Sequence, residues 1–150
     1  MRVVIQRVSF ANVIVESKLV AEIGNGMLLL LGIESEDGNE DLEWIVYKIS
    51  NMRIFNDDLG KMNLSVTDVK GDFLVISQFT LHASTKKGNR PSFLNAARPE
   101  QAVPLYEKFI QLLSSVSGTS VKSGIFGADM KVSLLNDGPV TIIIDSKNKE

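Results

Sequence analysis

Apolar residues along this chain follow two rhythms, and the switch between them marks its elements. Val3 to Val8 and Asn12 to Glu16 are rich in β-branched residues, and Leu19 to Ile23 follows a polar turn at Ser17-Lys18. Together they predict an N-terminal antiparallel meander. Gly24-Asn25-Gly26 precedes Met27 to Ile33, a continuous apolar run of strand length that predicts a strand buried on both faces at the sheet's centre. The period then lengthens. Leu42, Ile45, Val46 and Ile49 fall at i, i+3, i+4 and i+7, behind Asn39 as N-cap and with Glu40, Asp41 and Glu43 in the first turn, where the helix dipole favours them. Short strands are expected at Arg53 to Phe55 and Leu64 to Val66, and a long one over Asp72 to Leu81 that runs into the polar loop HASTKKGNR. A second helix is predicted from Pro99 or Pro104 to about Ser117, with the stripe Ala102, Leu105, Tyr106, Phe109, Leu112, Leu113 and Val116, closed by Gly118. Val121 to Phe126, Met130 to Leu135 and Val140 to Asp145 complete the strands.

Many strands with two main helices interspersed, spaced too closely for repeated βαβ crossovers, predict an α+β fold with a mostly antiparallel, curved or barrel-like sheet. The 150 residues fit a single domain spanning 1–150, and a chain of this length buries roughly 70% of its unfolded surface without covalent staples.

Composition narrows the chemistry. Cysteine is absent, which removes thiol nucleophiles, disulfides and thiolate metal sites, and agrees with a reducing compartment. The N-terminus interrupts its apolar stretch with charge, and MLLLLGI is far shorter than the about 20 residues a membrane helix needs. The expected protein is soluble and cytoplasmic, without a membrane partner. A net charge of −2 argues against coating long nucleic acids, although not against holding one nucleic-acid end. Lys86, Lys87 and Arg90 form the only compact basic segment, which reads either as an RNA contact or as a solvated loop.

Candidate side-chain chemistry is sparse. His82 is the single histidine. If SQFTLH is extended, Thr80 and His82 share a face yet stand about 6.5–7 Å apart, beyond hydrogen-bond reach, and Ser77 faces away from His82. No G-x-S-x-G elbow, Walker loop, H-E-x-x-H or spaced acidic cluster occurs, so no metal or cofactor is expected. In NDGPVT, Asp137-Gly138 signals a hairpin turn, while Pro139 calls for an edge position or an unusual peptide bond. A turn leading to an edge strand and a cis Gly-Pro bond both remain open at this level.

Five segments in register add to this reading: MRVVIQRV, SQFTL (Ser77 to Leu81), KGNRPSF (Lys87 to Phe93), GIFGADMKVSLL and GPVT (Gly138 to Thr141). Over essentially its whole length the chain resembles the D-aminoacyl-tRNA deacylase family. The resemblance implies a homodimeric esterase of translation quality control that releases a D-amino acid, or glycine, from the 3′ end of mischarged tRNA. It implies a cis Gly138-Pro139 unit inserted into the other subunit's pocket, where two carbonyls grip the substrate's α-ammonium and an L side chain meets the wall. It implies that the backbone of Ser77, Gln78 and Phe79 holds the aminoacyl end, that the tRNA's terminal 2′-hydroxyl assists the water, and that Phe126 and Met130 line the pocket. Arg7 is expected to brace the inserted loop, with an ordinary surface arginine as the bland alternative. Thr80 is the candidate covalent nucleophile, weakened by its missing base. The competing readings are a non-enzymatic tRNA-end binding module and a Thr80-dependent hydrolase of small esters.

Overall fold

The computed structural model describes residues 1–149. Strand β1 (Arg2–Val15) is one continuous 14-residue strand rather than two. It pairs antiparallel with β2 (Lys18–Ile23) through its second half and with β3 (Gly26–Gly32) through its first half. Its other edge carries β8 (Met130–Asp145) along nearly its full length.

Beyond β3 the sheet changes character. β3 pairs in parallel with β6 (Asp72–Ser77), and β6 in parallel with β7 (Val121–Ser123). The sheet is therefore mixed, not mostly antiparallel. Each parallel pair is joined by a crossover containing a helix: α1 (Asn39–Asn51) between β3 and β6, and α2 (Pro99–Ser117) between β6 and β7. Two βαβ-type connections are thus present where strand spacing argued against them. The spacing misled because the first crossover also holds the small ribbon of β4 (Phe55–Asn56) and β5 (Met62–Leu64), whose short apolar stretches look like further members of the main sheet. Parallel neighbours require such crossovers, since a tight turn can only reverse the chain.

The helices form where the apolar stripes lie. Leu42, Ile45, Val46 and Ile49 of α1 and Ala102, Tyr106, Phe109 and Leu113 of α2 are buried. They pack on one face of the sheet against Leu29, Leu31, Phe73 and Val75. The opposite face of the same strands, through Leu28, Leu74 and Ile76, closes with Val8, Val13 and Ile23 into a second core inside the curved, nearly closed sheet. The uninterrupted apolar run in β3 follows from burial on both faces. The α1 cap sits one residue earlier than Asn39: Gly38 is the N-cap, and its N–H donates to the Asp41 carboxylate at 3.0 Å. Gly118 closes α2 in the left-handed conformation.

The last two expected strands are one. Gln6 pairs with Thr141 and Val8 with Asn136, so Arg7 alone stands opposite the four residues Asp137 to Val140. NDGP is therefore not a hairpin reversal. The chain bulges out of the ladder and rejoins it in the same direction, because β1 offers partners on both sides of the excursion.

Candidate functional site

β3 and β6 end side by side, with Leu31 paired to Ser77. Beyond their ends lies a cleft of about 270 Å³. One wall is Ile76, Ser77, Gln78 and Phe79; the other is the segment from Phe126 to Met130. The volume lies just under the roughly 300–1,000 Å³ of pockets for drug-sized ligands, which suits an amino-acid-sized group. Five residues singled out from sequence, Ser77, Gln78, Phe79, Phe126 and Met130, meet here.

The strand does not continue to Leu81. It stops at Ser77, and Phe79–His82 form one turn of 3-10 helix. The Gln78 N–H still donates to the Leu31 carbonyl at 2.7 Å, extending the ladder by one bond, while the Gln78 carbonyl accepts from Leu81 N–H at 3.3 Å and starts the turn. The Gln78 amide is thus committed. The N–H groups of Phe79 and Thr80, as the first donors of a helical turn, have no intrahelical acceptor. The alternation expected for SQFTLH fails with the strand. Thr80 is exposed and lies outside the cleft lining, and its hydroxyl accepts from the Gln78 side-chain amide. His82 is buried, and its Nε2 has no partner among the described residues. Arg2 fixes the turn from below: Nη1 donates to the Leu81 carbonyl at 2.7 Å, while Nε and Nη2 hold the Asp145 carboxylate at 2.9 and 2.7 Å.

The opposite wall depends on Tyr106, which the helical stripe assigned only to packing, and on Gly124, which sequence reasoning passed over. Tyr106 donates its hydroxyl to the Val75 carbonyl at 2.9 Å and meets the Phe126 ring edge-on, centroids 5.6 Å apart. Burial pushes its phenol up to about 12 against the hydrogen bond with Ser123, so Tyr106 remains a proton donor throughout the physiological range. A Cβ on Gly124 would lie 2.5 Å from Met130 Sδ, so the bare α-carbon makes room for the methionine that faces the cleft. Asp129, also missed, is the single titratable residue of the lining, and Lys131 Nζ holds its two oxygens at 2.9 and 3.0 Å.

Gly138 and Pro139 do not line the cleft of their own chain. They sit exposed on the β8 bulge, joined by a cis peptide bond. Arg7 lies beneath them, 6% exposed. Its Nε reaches Asp137 Oδ2 at 3.0 Å and the Asp137 carbonyl at 3.3 Å, and its Nη1 donates to the Ile54 carbonyl at 2.6 Å. A surface arginine it is not.

Lys86, Lys87 and Arg90 occupy an exposed excursion closed by paired hydrogen bonds between Ser84 and Ser92 at 2.8 and 2.9 Å. They enter no ion pair among the described residues. At the excursion's end Phe93 contacts the Phe79 ring edge-on, centroids 5.1 Å apart. Among the described residues no group of three or more acidic or imidazole side chains could hold a metal, and no helix is long and apolar enough to cross a membrane.

Residues 4–145 match the family model described as D-Tyr-tRNA(Tyr) deacylase. Relatives named D-aminoacyl-tRNA deacylase include those of Christiangramia forsetii, 63% identical over 99% of both chains, and Flavobacterium psychrophilum, 61% identical over the full length of both. Among solved structures, a c-Myc DNA unwinding element binding protein superposes with a TM-score of 0.91 at 42% identity, covering 97% of this chain and 98% of that one. A probable eukaryotic D-amino acid tRNA deacylase shares the fold, with a TM-score of 0.81 at 18% identity over 95% and 97% of the two chains.

Proposed function

The chain belongs to the D-Tyr-tRNA(Tyr) deacylase family, a family of hydrolases, and from that premise we propose that it cleaves the ester between a D-amino acid and the 3′ end of tRNA in the cytoplasm, as a single domain over residues 1–150. The observation that carries the reading is the meeting of Ser77, Gln78, Phe79, Phe126 and Met130 around one amino-acid-sized cleft, beside the Phe79 and Thr80 N–H groups that have no intrahelical acceptor.

In this reading the ester carbonyl points at the N–H groups of Phe79 and Thr80. These are worth most when the carbonyl oxygen gains charge: removing one such donor typically costs about 100- to 1,000-fold in rate. Water adds to the carbonyl carbon, the bond to the ribose oxygen breaks, and the proton lost by water ends on that oxygen. The neighbouring ribose hydroxyl assists the proton's passage. An activated ester held in this orientation needs no protein nucleophile, which suits a Thr80 hydroxyl occupied by Gln78.

Stereochemical choice is proposed to come from a second copy of the chain. The partner subunit's Gly138 and Pro139 enter the cleft, and their main-chain carbonyls accept charge-assisted hydrogen bonds from the α-ammonium. With carbonyl and ammonium both fixed, inversion at the α-carbon exchanges hydrogen for side chain, and an L side chain collides with the wall. Glycine, having no side chain to collide, is hydrolysed as well. Lys86, Lys87 and Arg90 hold tRNA phosphates.

Release of free amino acid from D-tyrosyl-tRNA, with L-tyrosyl-tRNA as control, tests this directly; equal rates on the two sink the stereochemical account. The exposed basic excursion, whose Lys86, Lys87 and Arg90 enter no ion pair among the described residues, also favours a second reading, a module that binds tRNA ends without turnover. Tight binding of uncharged tRNA with no release from D-tyrosyl-tRNA would select it.

A further inference from the structure

The turn that carries the Phe79 and Thr80 N–H groups is weak by itself. Phe79–His82 is a single turn of 3-10 helix, a form whose hydrogen bonds are poorer than those of an α-helix. Two backbone bonds hold it internally: Leu81 N–H to the Gln78 carbonyl at 3.3 Å and Ala83 N–H to the Thr80 carbonyl at 3.0 Å. Its place is set from outside, by two residues paired across neighbouring strands. Gly32, the last residue of β3, stands opposite Arg2 of β1. A Cβ on Gly32 would lie 3.0 Å from the Gln78 carbonyl oxygen, 3.0 Å from Leu81 Cβ and 3.1 Å from His82 Cδ2, so the turn rests against a bare α-carbon. Arg2 grips it there, with Nη1 donating to the Leu81 carbonyl at 2.7 Å.

The guanidinium is itself fixed. Arg2 pairs in register with Asp145 of β8, whose Oδ2 accepts from Nε at 2.9 Å and from Nη2 at 2.7 Å. One residue further, the Met1 carbonyl accepts from Ser146 N–H at 2.9 Å, which ties the two strands at this end. Burial opposes ionisation of Asp145, but hydrogen bonds from the Lys147 N–H and from Arg2, with the Arg2 charge, hold its pKa below the ordinary 3.8. The carboxylate takes one edge of the planar fork and leaves Nη1 for the turn, a division of donors that an ammonium lacks. Resting on the deacylase reading above, we propose that Arg2, oriented by Asp145, and Gly32 seat the Phe79–His82 turn so that the Phe79 and Thr80 N–H groups meet the charge growing on the ester oxygen. All three are positioning residues, and none lines the cleft. Their effect falls on the transition state, because such donors gain most when the carbonyl oxygen becomes an oxyanion, and a misplacement of about 1 Å can cost about 100-fold in rate.

The test is hydrolysis of D-tyrosyl-tRNA by the whole protein, with kcat and KM resolved, at a temperature where urea unfolding shows each variant folded. Arg2→Met should lower kcat about 10- to 100-fold and leave KM within about twofold. Asp145→Asn should lower kcat by a smaller factor and add no further loss to Arg2→Met, since Asp145 acts through the guanidinium. Arg2→Lys should recover part of kcat. Gly32→Ala, which leaves the ion pair in place, should show the same loss confined to kcat. Deuterium exchange at the Leu81 and Ala83 amides should quicken in Arg2→Met while exchange within β3 stays as in wild type. Wild-type kcat in folded Arg2→Met overturns the proposal, as does a rise in KM alone, or losses from Arg2→Met and Asp145→Asn that multiply. If Arg2→Met does not fold, wild-type kcat in both Asp145→Asn and Gly32→Ala overturns it. No release of amino acid by wild type removes the deacylase reading and this role together; turnover by wild type with unchanged kcat in the variants removes this role alone.

Discussion

Arg7 Nε lies 3.0 Å from Asp137 Oδ2, and this pair ties the floor of the sheet to the only excursion from the β1–β8 ladder that Arg7 has to itself. The same guanidinium donates to the Ile54 carbonyl at 2.6 Å. One planar group therefore joins three stretches of chain in a place almost closed to water. Arg7→Ala should cost about 1–3 kcal/mol in urea unfolding, the range for a buried acceptor left unpaired. Arg7→Lys should recover only part of that, because an ammonium cannot reproduce the planar fork. If the bulge is the element that grips substrate, hydrolysis of D-tyrosyl-tRNA should fall at least tenfold in both variants at temperatures where both remain folded.

Gly138 is a sharper probe of the same loop. Its φ of +118° is one that L side chains rarely adopt, and an added Cβ would lie 2.9 Å from both Arg7 Nη2 and Val140 Cγ2. Gly138→Ala is expected to shift the bulge rather than unfold the protein, since the residue is exposed and the ladder resumes at Thr141. The expected outcome is a Tm within a few degrees of wild type with hydrolysis of D-tyrosyl-tRNA reduced at least 100-fold. Full activity in this variant would dissociate the loop from substrate binding.

How far the sequence announced this architecture depends on the range of the forces involved. Helical stripes such as Leu42, Ile45, Val46 and Ile49 and the apolar run of β3 report burial, which is written locally, and both lie where the pattern put them. Strand direction is not written locally: nothing in Phe73 to Ile76 tells whether the neighbour runs with or against it. The turn at Phe79–His82 escaped for a related reason. FTLH is as strand-like as the residues before it; the last ladder bond, from Gln78 N–H to the Leu31 carbonyl, is set by the neighbouring strand, and the turn begins just beyond it, where the Gln78 carbonyl accepts from Leu81 N–H. At the cleft, the motifs that carry the family resemblance contained Ser77, Phe126 and Met130. Tyr106 looked like one more stripe residue, because periodicity records its ring and says nothing of its hydroxyl. Arg2, paired with Asp145 across 143 positions, left no local trace at all.

Gly124 controls the far wall. A methyl group there would come within 2.5 Å of Met130 Sδ and 3.1 Å of Ile76 Cδ1. Met130 has a flexible end and can swing aside, so Gly124→Ala should change stability by no more than about 1–2 kcal/mol. The displaced thioether must move within the cleft it lines, and KM for D-tyrosyl-tRNA is expected to rise several-fold more than kcat falls. The double variant Gly124→Ala, Met130→Ala should recover much of the lost KM. No recovery would mean that Met130 does not bound the space taken by the aminoacyl group.

Asp41 contributes to the pH dependence of the scaffold. Burial opposes its ionisation, but hydrogen bonds from Ser146, from Lys147 at 2.9 Å and from the Gly38 N–H outweigh that and lower its pKa from 3.8 to about 2. The ionised form is thus favoured in the folded state. Its contribution is fully present above the unfolded pKa, near 4, and is lost as pH falls toward 2. The shift is equivalent to about 2 kcal/mol. Asp41→Asn should therefore be less stable than wild type by roughly that amount at pH 7, with the two unfolding curves converging between pH 4 and pH 2. A difference that persists unchanged at pH 2 would assign the loss to packing instead.

Dilution tests whether the site is completed by a second copy. Gly138 and Pro139 stand clear of their own chain's cleft, so a loop that grips substrate must reach some other molecule's cleft. On either side of it along β8, Leu135 and Ile143 are 64% and 65% exposed, a large apolar side chain at each flank of the projecting bulge. A second copy receiving Asp137 to Val140 would have a site of its own to offer in return, the self-complementary contact that two-fold dimers are built from, and these two side chains would flank that contact. Specific activity toward D-tyrosyl-tRNA should then fall as enzyme is diluted through the dissociation constant measured by sedimentation. Leu135→Glu together with Ile143→Arg should yield a folded monomer with little activity at any concentration. Constant specific activity in samples shown to be monomeric would mean that each chain carries a complete site, and the role of the bulge would have to be sought within its own subunit.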